Sequence, residues 1–132
     1  MAKDDCVFCK IARKEIKDSI FYEDKNFVAF LDIRPINPGH TLIITKEHYD
    51  NIFVMPENLV KEYFALVHKL GPKIKEALNA RWINILIFGE EIRHAHIHIL
   101  PRFNGDNFQY PIQKSYKSGE IEQILTKIRS KL

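Results

Sequence analysis

Three histidines at alternate positions, His94, His96 and His98, are the residues of this chain best suited to chemistry. Alternate residues of a β-strand point to the same face. The segment His94-Ala95-His96-Ile97-His98-Ile99-Leu100 therefore lines one side with imidazoles, roughly 6 to 7 Å between successive Cα atoms, and packs Ala95, Ile97 and Ile99 on the other. A lone histidine on an apolar strand reads as a hydrogen-bonded core residue. Half of the six histidines falling within five residues does not. Two chemistries could use the row. His-x-His on a strand can supply two ligands to a catalytic zinc, with a third from elsewhere. Alternatively, a neutral imidazole near its reference pKa of about 6.5 has a lone pair free to attack phosphorus, while neighbouring imidazoles donate hydrogen bonds to phosphate oxygens. The pattern alone leaves both open. A second reactive pair, Cys6 and Cys9, contains the only cysteines; in a reducing compartment such a pair is a metal or redox group sooner than a structural bridge.

The elements that must position these groups follow from periodicity and turn chemistry. Phe21-Tyr22 and Phe27 to Leu31 flank the polar Glu23-Asp24-Lys25-Asn26 and predict a β-hairpin that Asp32 closes. The loop Arg34-Pro35-Ile36-Asn37-Pro38-Gly39 delivers His40 to the start of a strand over Thr41 to Thr45, a loop-to-strand junction where functional groups are common. From Pro56 to Leu78 the residues Leu59, Tyr63, Phe64, Val67, Leu70, Ile74 and Leu78 recur at three- and four-residue spacing, which predicts a long amphipathic helix with a kink or break near Gly71-Pro72; His68 reads as a surface residue of it. Trp82 to Phe88 and Ile92 to Leu100 are expected to pair through a tight turn at Gly89-Glu90-Glu91, with Pro101 ending the second strand. Ile121, Ile124, Leu125, Ile128 and Leu132 share one face of a short C-terminal helix. Hairpins with helices inserted between them imply an α+β domain with an antiparallel sheet, not a doubly wound one.

The 132 residues fit a single domain spanning 1–132, long enough to bury a core without disulfides. With 45% hydrophobic and 28% charged residues and no low-complexity stretch, disorder is not expected. No run approaches the roughly 18 apolar residues of a membrane span, and Met1-Ala2-Lys3-Asp4-Asp5-Cys6 lacks the apolar segment of a secretory signal, so the expectation is a cytoplasmic protein. A net charge of +3 with scattered Lys and Arg permits an anionic ligand but argues against a stable nucleic-acid complex.

The histidine row followed by Pro101-Arg102 closely resembles the signature of the histidine triad family. Upstream, Cys6-Val7-Phe8-Cys9-Lys10-Ile11, Phe30-Leu31-Asp32-Ile33, Pro38-Gly39-His40-Thr41-Leu42-Ile43-Ile44 and Lys46-Glu47-His48 match it in the same order. The resemblance implies a five-stranded antiparallel sheet with a long helix and a short C-terminal helix, paired across a two-fold axis into a homodimer with a continuous ten-stranded sheet. It also implies that His96 attacks the α-phosphorus of a purine nucleotide conjugate, such as a nucleoside phosphoramidate or dinucleoside polyphosphate, through a transient nucleotidyl-histidine. The backbone carbonyl of His94 would fix the His96 tautomer, and His40 and His98 would steady the phosphate oxygens. Asp32 matches the ribose-binding position, and Phe8, Ile11, Phe30 and Ile33 match the lining of the purine pocket.

Many bacterial and archaeal members with this N-terminal cysteine pair bind a structural zinc through it together with two histidines, and by this resemblance the matching positions here are Cys6, Cys9, His48 and His94. One departure stands out. Relatives carry a longer Asn- and Gly-rich loop ending in Gly-Gln, whereas here Glu90 stands where Gln is expected and Glu91 where many have a hydroxyl. A carboxylate beside a phosphate repels it unless it is protonated, turned away or meets a cationic part of the substrate. Three readings follow: nucleotidyl hydrolysis or transfer through His96, a zinc-stabilised nucleotide-binding module with little turnover, and a hydrolase with catalytic zinc on the histidine row.

Overall fold

The structure, a computed structural model, describes residues 5–16 and 19–132. In chain order it contains α1 (Val7–Ala12), β1 (Ile20–Glu23), β2 (Phe27–Leu31), β3 (Thr41–Thr45), a single 3-10 turn (Ile52–Val54), α2 (Glu57–Leu78), β4 (Trp82–Leu86), β5 (His96–Arg102) and α3 (Glu120–Arg129). The strands form one five-stranded sheet in the order β1-β2-β3-β5-β4 with every neighbouring pair antiparallel. This is the expected α+β architecture, and the triad strand β5 lies inside the sheet, between β3 and β4.

Strand alternation sorts the core onto two faces. Phe27, Ala29, Ile43, Ala95, Ile97 and Ile99 pack with Tyr63, Leu66, Val67 and Leu70 of α2. Val28, Phe30, Leu42 and Ile44 face the other way and pack with Phe8 and Ile11 of α1. Because Leu42 pairs with His98 and Ile44 with His96, those two imidazoles share the α1 face. Tyr63 fastens α2 to the sheet: its ring stacks on Phe27 at 4.8 Å, and its hydroxyl meets the carbonyl oxygens of Ile43 and Ala95.

Three local expectations need correction. Helix α2 runs through Pro72 without the break that the proline allowed for. The bond that Pro72 cannot donate belongs to the carbonyl of His68, and both residues are exposed, so water can serve that carbonyl; Gly71, having no Cβ, relieves the crowding a proline imposes on the residue before it. The helix ends where Asn79 turns left-handed (φ 53°) and the Ala80 amide bonds the Lys75 carbonyl.

The connection before the triad strand is longer than a tight turn, since β4 stops at Leu86 and β5 starts at His96. Residues 94 and 95 are held elsewhere: the His94 amide bonds the Ile92 carbonyl and the Ala95 amide bonds the Tyr49 carbonyl at 2.7 Å. Finally, Pro101 lies inside β5 instead of ending it. The Arg102 carbonyl accepts the Arg81 amide on the β4 side, so Pro101 turns its nitrogen and oxygen toward β3, whose pairing has already ended at Thr41–Ile99. No ladder bond is lost there.

Candidate functional site

The histidine row divides into two environments. At one end His94 is fully buried, and its Nδ1 sits 3.3 Å from Cys6 Sγ and 3.4 Å from Cys9 Sγ. His48 Nδ1 approaches Cys9 Sγ at 3.3 Å. The two sulfurs and two nitrogens all lie within 4.8 Å of one another. A tetrahedral zinc with bonds of about 2.3 Å to sulfur and roughly 2.0 Å to nitrogen requires S···N edges of about 3.5 Å, so this donor set fits such an ion. The outer nitrogens are held as well: His94 Nε2 lies 2.7 Å from the Thr45 carbonyl oxygen and His48 Nε2 3.0 Å from Asp50 Oδ1, contacts of the kind that orient metal-bound imidazoles. Burial pulls the His94 pKa down to about 4, which keeps the ring neutral and its lone pair available. The short helix α1 supplies Cys9, and Cys6 caps its start, with Cys6 Sγ accepting from the Cys9 amide.

At the other end the proton positions follow from the backbone. His96 Nδ1 lies 2.7 Å from the His94 carbonyl oxygen, which can only accept, so Nδ1 carries the proton and Nε2 the lone pair of the neutral ring. His40 is set the opposite way. The Ile36 amide donates to His40 Nδ1 at 3.1 Å, so His40 carries its proton on Nε2 and donates to His98 Nδ1 at 2.8 Å. His98 must then hold its own proton on Nε2. That atom is buried and has no hydrogen-bond partner among the described residues. Burial lowers the pKa of His98 to about 4, with the neighbouring His96 and His40 acting in the same direction. Burial also lowers that of His40, against the opposing pull of the Asp32 carboxylate 3.8 Å away.

Asp32, His40 and His98 bring three donor atoms within 4.8 Å and form a second potential metal group. The tautomers argue against it. The His40 nitrogen facing His98 and Asp32 carries a proton and offers no lone pair to a metal, and the two imidazole nitrogens there already share a hydrogen bond.

A cleft of about 530 Å³ opens beside this end. Phe8, Ile11, Phe30 and Ile33 line it together with Asp32, His96 and His98, so the expected nucleotide-site residues converge. Phe8 packs between Phe30 (ring centroids 6.0 Å apart) and the row, edge-on to His96 at 5.2 Å. His40 adjoins through His98 without lining the cleft itself. The two glutamates separate: Glu91 lines the cleft, whereas Glu90 is not among its lining residues. Sequence reasoning missed Val7, Ile16, Arg34, Leu42 and Ile92 as lining residues. Ile92 packs against the α1-face cluster, and its place in a misread turn hid it. It also missed Thr45 and Asp50, which act through a carbonyl and a nearby carboxylate that carry no motif.

A row of imidazoles on an antiparallel sheet, one end saturated by thiols and the other open to an apolar cleft, defines a histidine-triad protein. The family model for the HIT domain matches residues 13–105. A solved structure from Streptococcus mutans superposes with a TM-score of 0.90 at 33% identity, covering 98% of this chain and 87% of that one. A zinc-bound histidine triad family protein from Mycobacterium smegmatis aligns at 30% identity and a TM-score of 0.75, covering 97% of this chain and 98% of that one. Among curated relatives, the adenylylsulfatase HINT3 of Arabidopsis thaliana is 37% identical over 79% of this chain and 55% of its own length. The chain belongs to the histidine triad (HIT) family.

Proposed function

We propose that this protein is a nucleotidyl hydrolase or transferase that acts at the α-phosphate of a purine nucleotide conjugate, with His96 as its nucleophile. One observation carries the reading. A lone pair on His96 Nε2 and a buried, unpartnered N–H on His98 Nε2 belong to neighbouring rings (centroids 5.1 Å apart) that line the same cleft. A nucleophile beside a pre-oriented donor suits attack on a phosphorus whose oxygens gain charge in the transition state.

In the first step the Nε2 lone pair bonds to the α-phosphorus as the bond to the leaving group breaks. The leaving group departs with that electron pair and is protonated from water. The His94 carbonyl accepts the Nδ1–H throughout and steadies the ring as it becomes cationic. Water then cleaves the phosphorus–nitrogen bond of nucleotidyl-His96, releasing the nucleoside monophosphate and restoring the neutral imidazole. His98 donates to a phosphate oxygen, and His40 orients His98. Asp32 accepts the ribose hydroxyls; one of its oxygens already receives the Arg34 amide at 2.9 Å, which fixes the carboxylate. Phe8, Ile11, Phe30 and Ile33 hold the purine.

Cys6, Cys9, His48 and His94 hold a structural zinc in this reading, the ion tying α1 and the loop before β5 to the sheet. The exposed edge strand β4, with Trp82 and Ile85 each about two-fifths exposed, suits antiparallel pairing with a second copy to form a homodimer. We assign the protein to the cytoplasm, where nucleotide conjugates and reduced cysteines coexist; no described helix is long and apolar enough to cross a membrane.

A second reading, a nucleotide-binding module with little turnover, draws support from Glu91, which adds a carboxylate to the cleft. Turnover of a fluorogenic adenosine phosphoramidate separates the two. The expected result is activity in the wild type and a loss of at least about a thousandfold in His96→Ala at unchanged zinc content. A wild type that binds AMP without turnover would favour the binding module instead.

A further inference from the structure

The C-terminal side of β5 reaches back to the loop that carries His40. Arg102 is buried, and its guanidinium makes two hydrogen bonds to Asp106, Nε to Oδ2 at 2.8 Å and Nη2 to Oδ1 at 2.9 Å. Tyr110 accepts a third from Nη1 at 3.0 Å, and the guanidinium stacks over Phe108 at 4.3 Å. Asp106 Oδ2 also accepts the Phe103 amide at 2.9 Å, so the carboxylate is fixed from two directions. These bonds hold Asp106 in its charged form, with a pKa well below the usual carboxylate range.

That fixed carboxylate then receives Asn37. The Nδ2 of Asn37 donates to Asp106 Oδ2 at 3.0 Å and to the Pro101 carbonyl at 2.9 Å, so both of its amide protons are engaged on the far end of the triad strand. The Pro101 carbonyl is free for this because it faces the side where β3 pairing has ended. Asn37 is itself buried, and its own carbonyl accepts the His40 amide at 3.1 Å. One residue earlier, the Ile36 amide donates to His40 Nδ1 and so decides which His40 nitrogen carries the proton.

We propose that Asn37 and Asp106 are positioning residues for the phosphate-facing imidazoles. They clamp the 34–39 loop onto β5 so that the Ile36 amide stays on His40 Nδ1 and His98 Nε2 remains a donor. The inference rests on the reading of His96 and His98 given above, and adds to it two residues outside the motif. Without the clamp the Ile36 amide drifts and His40 samples both tautomers. When His40 carries its proton on Nδ1, its Nε2 accepts the Nδ1–H of His98, and the His98 nitrogen facing the phosphate presents a lone pair that repels it. The apolar cleft still supplies most of the ground-state binding, so the larger loss falls on the chemical step, where the phosphate oxygens gain charge.

The test uses Asn37→Ala in the full chain, with nitrogen-15 spectra of the histidine rings beside the kinetics. Three results are expected. The His40 and His98 resonances move from single tautomers to averaged positions, kcat for an adenosine phosphoramidate falls by about tenfold with KM nearly unchanged, and zinc content stays as in the wild type. A structural role alone would lower the melting temperature and leave the ring spectra as they were; unchanged spectra in a folded variant overturn the proposal. If Asn37→Ala does not fold, Asn37→Ser retains one donor, and averaged His40 and His98 signals in its spectra are again the expected result. If the wild type shows no turnover, the proposed reaction fails, while the spectra still decide the clamp.

Discussion

The two ends of the histidine row use the same side chain for opposite purposes. His94 has both ring nitrogens occupied, Nδ1 by the cysteine sulfurs and Nε2 by the Thr45 carbonyl. His98 has one occupied by His40 and one buried with no partner among the described residues. A saturated imidazole can only hold structure together. An imidazole left with one polar atom short, at the wall of a cleft, carries an unmet cost that a ligand can relieve. The difference lies in the neighbours and not in the histidines, and it divides the row into a part tied into the fold and a part that borders an open cleft.

The comparison can be broken most strongly at the saturated end. Removing zinc from the wild type, or replacing Cys9 by alanine, should lower the melting temperature by more than about 10 °C, because the donor set exists only in the folded chain and metal binding there is folding energy. Calorimetry with and without chelator checks this, and equal melting of the metal-loaded and metal-free proteins would remove the structural role of the cluster. His96→Ala, by contrast, should leave the melting temperature within a few degrees while abolishing turnover.

Acid sharpens the same contrast. The pKa values of His40 and His98 are lowered by burial, that of His98 to about 4, so below pH 6.5 the unfolded chain binds protons that the folded chain does not. The stability contributed above pH 6.5 is therefore lost progressively as pH falls from there toward about 4. Thermal melts at pH 7, 6 and 5 should show a steeper fall for the wild type than for His98→Gln; parallel curves would mean that His98 is not held neutral by its surroundings.

The smallest effect is expected at the cleft wall. Glu91→Gln should raise kcat/KM for a dinucleoside polyphosphate by roughly threefold, since an exposed carboxylate is screened by solvent, and should leave a phosphoramidate with an amine leaving group nearly unchanged. A change of equal size for both substrates would show that Glu91 does not sort them by charge.

What the sequence revealed and what it hid follow from the range of the interactions. The row of imidazoles, and Ala95, Ile97 and Ile99 opposite it, were legible because alternation is a property of a few adjacent residues. That Phe8, Ile11, Phe30 and Ile33 line one cleft was legible only through resemblance, since in isolation each reads as core. The strand boundaries near His94 were misread because pairing competes there with the Tyr49 carbonyl and the thiols of α1, partners far away in the chain. Pro101 misled for a related reason. A proline ends a strand only when the side it faces is paired, and which side that is depends on where β3 stops. Asn37 and Asp106, 69 positions apart, meet only once the sheet has formed.

Residue 94 serves two masters by different atoms. Its imidazole belongs to the cysteine cluster, while its carbonyl oxygen, which every amino acid possesses, orients His96. The two duties are therefore heritable separately. A substitution at this position can remove an imidazole from the cysteine cluster and yet leave intact the carbonyl that orients His96; under the proposed function, a descendant of this chain is then free to abandon the metal without first relearning the reaction.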